Sequence, residues 1–286
     1  MICVTGAGGT VGSELVEQLE SATAPFRAAY FSNEKAEATR ARGIDTVIID
    51  YNRPETLHEG FQECDKLFLL GPNTVNQTQL ELNAVEAAQA VGVRHIVKQS
   101  VLGAEDETFS LAKVHRPVEE AIGSSGVAWT FLRPNSFMQN VVTYMGETIR
   151  AEGAFYSASG EGKISHVDVR DIAAVAVKAL TEPGHEGKVY TLTGPEALTY
   201  EELAKELSRV LRRSISHVNL SPSDLKSALL AEGMPEEIAD RMLDLERYYR
   251  EDRASGITND IKQVTGRDPR RFAQYARDSA RLLQAA

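Results

Sequence analysis

Met1-Ile-Cys-Val-Thr5-Gly-Ala-Gly-Gly-Thr-Val-Gly12 opens the chain and decides how the rest of it is read. Ile2, Cys3 and Val4 form a short apolar run that predicts a buried strand. Gly6, Gly9 and Gly12 give the spacing G-x-x-G-x-x-G, with Gly8 as an extra glycine. From Val11 to Leu19 the apolar positions Val11, Leu15, Val16 and Leu19 mark one face of a helix. Strand, glycine turn and helix in that order predict a dinucleotide cradle. The turn must be tight, the backbone must approach a pyrophosphate with no Cβ in the way, and the phosphate must face a helix N-terminus. A glycine-rich loop can be a plain turn, but position, strand and helix all agree on the cradle.

The 286 residues suffice for one large or two small domains. Hydrophobic residues make up 42% and charged residues 25%, ordinary values for a soluble globular protein. Lys and Arg number 31 against 41 Asp and Glu, a net charge of -10 that argues against nucleic acid and anionic membrane as partners. No apolar run is long enough to span a bilayer, and the N-terminal stretch lacks a signal-peptide layout. Cys3 and Cys64 make no disulfide framework, so a reduced, cytoplasmic protein is expected. The histidines show no metal-ligand spacing and no G-x-S-x-G occurs, so neither a metal nor a serine triad is expected.

Outward from the cradle, strands and helices alternate. Strands are predicted over Pro25–Phe31, Thr46–Asp50, Lys66–Leu70, His95–Val101 and Ala128–Leu132. Helices are predicted over Glu34–Arg42, Pro54–Phe61, Leu80–Val91 and Leu111–Ile122, the last interrupted by Pro117. The fold class is therefore α/β, a doubly wound parallel Rossmann sheet. After it come a helix over Ser136–Arg150, strands over Ala154–Ser159, Ile164–Val169 and Lys188–Thr193, and a helix over Asp171–Leu180. A capping box, Thr199 with Glu202, opens the helix Tyr200–Leu211. Further helices cover Leu225–Glu232, Glu236–Arg250 and Pro269–Leu283. The expected division is a nucleotide-binding domain over 1–135, its sheet completed within 154–193. A smaller, mostly helical α/β region over 136–286 is interleaved with it and caps the sheet's carboxyl edge.

At the cofactor end, a cradle that prefers NAD often carries a carboxylate about 20 residues beyond the glycines. Here the second strand ends in Tyr30-Phe31-Ser32-Asn33, with no acid before Glu34. Ser32, Asn33 and Lys35 could accept a 2′-phosphate, so NADP(H) is expected over NAD(H), although Lys35 could equally be a solvated helix charge. Asp50 and Tyr51, ending the third strand, would lie near the adenine, unless Asp50 only forms a turn before Pro54. Leu70, Gly71 and Pro72, ending the fourth, would let the chain pass close to the cofactor.

Several further stretches carry a family resemblance: Val4–Gly12, Asn33-Glu-Lys-Ala36, Arg94-His-Ile-Val97, His115-Arg-Pro-Val-Glu-Glu120, Trp129–Asn135 through Phe137-Met-Gln-Asn140, and His166–Ala173. They resemble the NmrA-like branch of the atypical short-chain dehydrogenases, and within it are similar to bacterial quinone reductases and the triphenylmethane dye reductase. The resemblance covers most of the chain. It implies a Rossmann domain, NADP binding through Gly6, Gly8, Gly9, Thr10, Val11 and Gly12, and a small second domain holding a substrate cleft. One departure stands out. Relatives often carry Arg just after the second strand, where this chain has Phe31.

A standard short-chain dehydrogenase uses a Ser and a Tyr four residues before a Lys, the Tyr passing a proton to the substrate oxygen. Ser100 stands where that Ser would be. Phe109-Ser-Leu-Ala-Lys113 keeps the spacing but puts phenylalanine, which has no proton to give, in place of the Tyr. The resembling dye and quinone reductases also lack the Tyr. Their conjugated acceptors need little positional acid help, because charge delocalises. The remaining acid candidates are Lys113, His115 and water, and Lys113 could instead bond the ribose. Pro134 and Asn135 would face the nicotinamide, and Phe137, Met138 and Asn140 would line the cleft, although the apolar pair Phe137 and Met138 could equally be core. The expected activity is NAD(P)H-dependent reduction of a small conjugated or aromatic acceptor by a monomer or homodimer. The alternative is an NmrA-type redox sensor that binds NAD(P) without turnover.

Overall fold

Ile2–Val4 forms strand β1 with all three residues buried, as the apolar run requires. In the computed structural model, which describes residues 1–284, the glycines turn the chain into helix α1 (Thr10–Ser21). Then follow β2 (Phe26–Tyr30), α2 (Asn33–Arg40), β3 (Asp45–Ile48), α3 (Pro54–Phe61), β4 (Lys66–Leu69), α4 (Gln77–Ala90), β5 (His95–Gln99), α5 (Ser110–Ser124) and β6 (Ala128–Pro134). The later chain makes α6 (Asn140–Glu152), β7 (Ala154–Ser157), α7 (Val169–Thr181), β8 (Lys188–Leu192), α8 (Tyr200–Leu211) and β9 (Ser216–Asn219). It ends in α9 (Pro222–Ala231), α10 (Glu236–Arg250), α11 (Asp260–Thr265), α12 (Phe272–Asp278) and α13 (Ala280–Leu283).

Two units emerge. Unit 1 comprises Met1–Glu105, Ala112–Arg133 and Ile172–Tyr190, and unit 2 comprises Asp106–Leu111, Pro134–Asp171 and the described residues from Thr191 onward. Unit 1 is framed by a seven-stranded sheet in the order β3-β2-β1-β4-β5-β6-β8, with β1 to β6 pairing in parallel. The order reverses between β1 and β4, the point where open α/β sheets bind nucleotides at their carboxyl edge. One face of the sheet packs Cys3, Ala29, Leu67, Leu69 and Ile96 against Leu57 and Phe61 of α3, Leu80, Ala84, Val85 and Ala88 of α4, and Val118 and Ile122 of α5. The alanines of α4 let that helix lie close to the strands. In unit 2, β7 and β9 form a two-stranded parallel sheet. The capping box of α8 is complete: Glu202 N–H donates to Thr199 Oγ1 at 3.1 Å, and Thr199 N–H donates to Glu202 Oε2 at 2.8 Å.

The structure departs from the sequence reading where tertiary contacts override local pattern. Helix α5 runs through Pro117 without a break, because its buried face of Val114, Val118 and Ile122 continues past the lost hydrogen bond. Helix α6 begins at Asn140 rather than Ser136: the Ser136 N–H is taken by Asn135 Oδ1 at 2.8 Å and Phe137 bridges Val167. The expected strand over 164–169 is reduced to isolated bridges at Ile164 and Val167. The expected helix over 269–283 starts at Phe272 and is divided at Ser279 into α12 and α13. The polar strand β9 (Ser-His-Val-Asn) and the one-and-a-half-turn α11 carry no periodicity that could announce them. Among the described residues, no helix is long and apolar enough to cross a membrane.

The buried titratable groups predict an acid-sensitive fold. His166 has its Nδ1 3.2 Å from the Ile164 carbonyl, and burial pushes it down to about 4. His95, bonded through Nε2 to Thr130 Oγ1 at 2.9 Å, is pushed to about 4 by burial and then by the charge of Lys66. A histidine whose folded pKa is depressed contributes stability that is complete above its unfolded value and drains as pH falls from about 6.5 toward 4. For the fully buried His166 this is worth roughly 3 kcal/mol. Glu246 acts with the opposite sign. Burial raises its carboxyl to about 7, so its contribution is present below about 4.5 and is lost as pH rises through 7. Two histidines outweigh one glutamate, so the melting temperature is expected to fall between pH 6.5 and 4.5. Glu246→Gln should raise the melting temperature at pH 8 and not at pH 4.5. Thermal melts across that range check both statements, and a wild-type protein that melts higher at pH 5 than at pH 7 would overturn the first.

Candidate nucleotide-binding site

The cradle is built by glycines with separate jobs. Gly6 has a φ of 65°, in the left-handed region, and a Cβ there would sit 3.0 Å from the Leu70 carbonyl oxygen. Gly12 lies so close to the returning chain that a Cβ would fall 2.0 Å from the Gly6 oxygen. Gly9 is the N-cap of α1, and Gly8, Gly9 and Thr10 are exposed. The first-turn N–H groups of Thr10, Val11 and Gly12 have no helical carbonyl to donate to, and together with the positive end of the helix dipole they suit a pyrophosphate. Exposed glycines over open helical N–H groups are the surface a dinucleotide requires, and these residues fit that group.

At the carboxyl end of β2, Phe31 is 77% exposed, and Ser32, Asn33 and Lys35 are exposed beside it. Lys35 does more than sit on the helix surface: its Cδ would lie 3.0 Å from a Cβ on Gly8, so its stem crosses the glycine loop. That brings a cation to the edge of the cradle. Asp50 is largely committed to a turn, its Oδ1 accepting the Asn52 N–H at 2.9 Å. Tyr51 is buried and donates its hydroxyl to the Leu70 carbonyl at 2.9 Å, with its pKa pushed up by burial. Leu70 in turn donates its N–H to Thr5 Oγ1 at 2.9 Å, which ties the end of β4 to the glycine loop. Pro72 is exposed.

Beneath this edge lies a group of buried charges that the sequence reading did not single out. Glu81 of α4 and Lys98 of β5 are both fully buried, with Nζ 3.0 Å from each carboxylate oxygen. Glu81 Oε1 also accepts the Gly71 N–H at 2.8 Å and lies 3.4 Å from Gln77 Nε2. Lys98 donates to the Gln99 carbonyl and lies 3.2 Å from His115 Nδ1. His115 is thus not an open-site acid. It is buried, and burial followed by the charge of Lys98 pushes its pKa well below the usual value, so the ring is neutral and carries its proton on Nε2. Lys113, two residues earlier, is exposed. Ser100 is buried, its N–H donates to the Leu132 carbonyl at 2.7 Å, and its Oγ has no hydrogen-bond partner among the described residues. The sequence signal for the pair was a lysine inside the apolar strand His95–Gln99 and a glutamate beside Leu80 on the inward face of α4.

Arg133 closes the carboxyl end of β6. Its Nε and Nη2 meet Glu119 Oε1 and Oε2 at 3.0 and 2.7 Å, and its Nη1 reaches Glu105. This fork joins two of the family-like stretches, His115–Glu120 and Trp129–Asn135.

In unit 2, two expectations change. Asn135 is buried and its carboxamide is spent inside the protein, donating to Ser165 Oγ and to the Ala254 carbonyl at 2.8 Å each and accepting from Ser136. It orders three chain segments rather than offering itself to a nicotinamide. Met138 is 1% exposed and packs toward Gly194, so it is core and not cleft. Pro134 is buried, while Phe137 and Asn140 are half-buried. Phe109 is buried as well, packed against Tyr248 with ring centroids 4.3 Å apart and ring planes inclined by 31°. The neighbouring Ser110 N–H and hydroxyl both donate to Asp244 Oδ2 at 2.6 Å.

Comparison with known proteins follows the same lines. The model of the NmrA-like family matches residues 1–276. An NAD(P)H azoreductase from Xenophilus azovorans is 39% identical over 287 residues, covering 100% of each chain. The NADPH complex of the NADPH-dependent quinone oxidoreductase from Escherichia coli has a TM-score of 0.88 at 31% identity, covering 96% of this chain and 98% of that one. Citrobacter sp. triphenylmethane reductase complexed with NADP(H) has a TM-score of 0.86 at 28% identity, covering 98% of this chain and 100% of its own.

Proposed function

The chain belongs to the NmrA-like family, and from that membership we propose that it is an NAD(P)H-dependent reductase of a small conjugated acceptor such as a quinone, an azo compound or a triphenylmethane dye. NADPH, when bound, supplies the hydride. The observation that carries the reading is the exposed cradle of Gly8, Gly9 and Thr10 at the N-terminus of α1, with the stem of Lys35 lying across it. The chain's own part is to bind and orient. The N–H groups of α1 hold the pyrophosphate, Lys35 with Ser32 and Asn33 takes the 2′-phosphate, and Phe31 offers an apolar face to the adenine. Lys113 holds the ribose, and Ser100 supplies an uncommitted hydroxyl. Of the expected cleft residues, Phe137 and Asn140 are retained as acceptor contacts once Met138 is withdrawn. The free thiols of Cys3 and Cys64 suit a reduced, cytoplasmic setting.

NADPH is expected to bind at least tenfold more tightly than NADH, because no carboxylate ends β2 and a lysine stands there instead. Lys35→Glu should erase that preference, weakening NADPH far more than NADH. Fluorescence titration of both nucleotides with both proteins checks this. Tighter binding of NADH by the wild type would overturn the assignment of NADP(H).

A further inference from the structure

Lys98 and Glu81 form an ion pair with no exposed surface, and such a pair is a weak source of stability: well-packed apolar residues in its place are often as stabilising or more so. Its geometry points to another use. An ammonium has three donors, and the acceptors around Lys98 Nζ are the Glu81 carboxylate, the Gln99 carbonyl and His115 Nδ1. Lys98 is thereby spent on fixing its neighbours. Glu81, fixed in turn, accepts the Gly71 N–H at 2.8 Å. Residue 71 must be glycine for this, since a Cβ would stand 2.5 Å from Glu81 Cγ and 2.7 Å from Oε1. On the other side of Gly71, Leu70 is held by Thr5 Oγ1 and by the Tyr51 hydroxyl at 2.9 Å each, and its carbonyl oxygen is what a Cβ on Gly6 would meet at 3.0 Å. An unbroken path of hydrogen bonds and close packing therefore runs from Lys98 through Glu81, Gly71 and Leu70 to the glycine loop.

We propose that Glu81, held by Lys98, is a positioning residue for the dinucleotide: its carboxylate anchors the Gly71 N–H and so sets the wall against which the loop Gly6–Gly9 is placed. This rests on the reading of the cradle as an NADP(H) site. It does not require either residue to touch the nucleotide.

Two doubly substituted proteins separate positioning from charge. Glu81→Gln with Lys98→Met removes both charges yet leaves an amide oxygen for the Gly71 N–H. Glu81→Leu with Lys98→Met also removes both charges but leaves that N–H without its acceptor. Neither strands a buried charge, so both are expected to fold. NADPH affinity is measured by fluorescence titration at a temperature where circular dichroism shows each protein folded. The Gln/Met protein should bind NADPH at least tenfold more tightly than the Leu/Met protein. Gly71→Ala, whose methyl displaces the Glu81 carboxylate with every charge retained, should weaken NADPH binding by a similar factor. A purely structural pair would lower the melting temperatures and leave the Kd values of the folded proteins equal, and that result overturns the proposal. It also fails if Gly71→Ala binds NADPH as the wild type does. A wild type that binds no NADPH would instead defeat the cofactor reading itself.

Discussion

Gly9→Val is expected to leave the protein folded and to raise the Kd for NADPH at least a hundredfold. Gly9 has φ -91° and ψ 176°, an extended conformation that a β-branched residue adopts readily. A Cβ there meets only the Gly6 oxygen, at 3.3 Å, so the backbone need shift by no more than a few tenths of an ångström. The isopropyl group would stand over the first turn of α1, in the volume a pyrophosphate needs to reach the open N–H groups. Gly12 supplies the contrast. A methyl at that position would fall 2.0 Å from the Gly6 oxygen, 2.6 Å from its carbonyl carbon and 2.9 Å from Ala7 Cα, all backbone atoms that cannot swing aside. Gly12→Ala should therefore lower the melting temperature as well as the affinity. A circular dichroism melt with an NADPH titration on each variant reads both quantities. If Gly9→Val folds and binds NADPH within about threefold of the wild type, the cradle has been placed on the wrong residues.

The difference between these two glycines was not visible in the spacing G-x-x-G-x-x-G, which names the positions without saying which one packs and which one faces a ligand. The same limit recurs along the chain. Uninterrupted apolar runs between helical stripes announced the parallel sheet and its helices, since a strand covered on both faces is apolar throughout and a helix buried on one face carries a period. The ends of the strands, where we place the nucleotide, carry no period. Asp50 and Asn135 are polar residues at strand ends: the sequence left open whether Asp50 turns the chain or meets a ligand, and it pointed Asn135 at the nicotinamide. In the structure Asn135 has its whole carboxamide engaged, and Asp50 accepts from its own turn. Met138 was equally ambiguous until its burial was known. Glu81 and Lys98 were missed because their meaning is pairwise. Separated by 17 positions on different elements, they become a unit only when α4 is laid across β4 and β5. Lys35 shows the reverse case, an exposed helix charge whose stem lies across a glycine of the loop, a contact no helical pattern announces.

A quinone or a triphenylmethane dye is expected to be reduced by the wild type with a kcat/KM at least a thousandfold above that for a small aliphatic ketone. The reason lies in where the available protons are. Reducing a ketone builds full negative charge on one oxygen, and without a positioned acid the barrier rises by an amount that general-acid catalysis otherwise removes, about 10²–10⁴ in rate. Phe109 has no hydroxyl, and its ring packs at a tilt against Tyr248. Phe109→Tyr would therefore place a phenol in that contact and is not expected to create ketone reduction. His115 is neutral and faces Lys98, and a neutral imidazole is a far weaker acid than its protonated form. A quinone, an azo compound or a cationic dye spreads the added electron pair over its conjugated frame, so water suffices as the proton source. Lys113 is exposed, and its proposed role of holding the ribose is tested by kinetics, with the effect expected in KM. If it only holds the ribose, Lys113→Ala raises the KM for NADPH and leaves kcat on the quinone largely intact; if it donates the proton, kcat falls at saturating NADPH. Steady-state oxidation of NADPH, followed with one acceptor of each class, decides the matter. Comparable rates on the aliphatic ketone and the quinone would mean that a positioned acid exists after all, and a mechanism that leaves proton delivery to water would have to be abandoned.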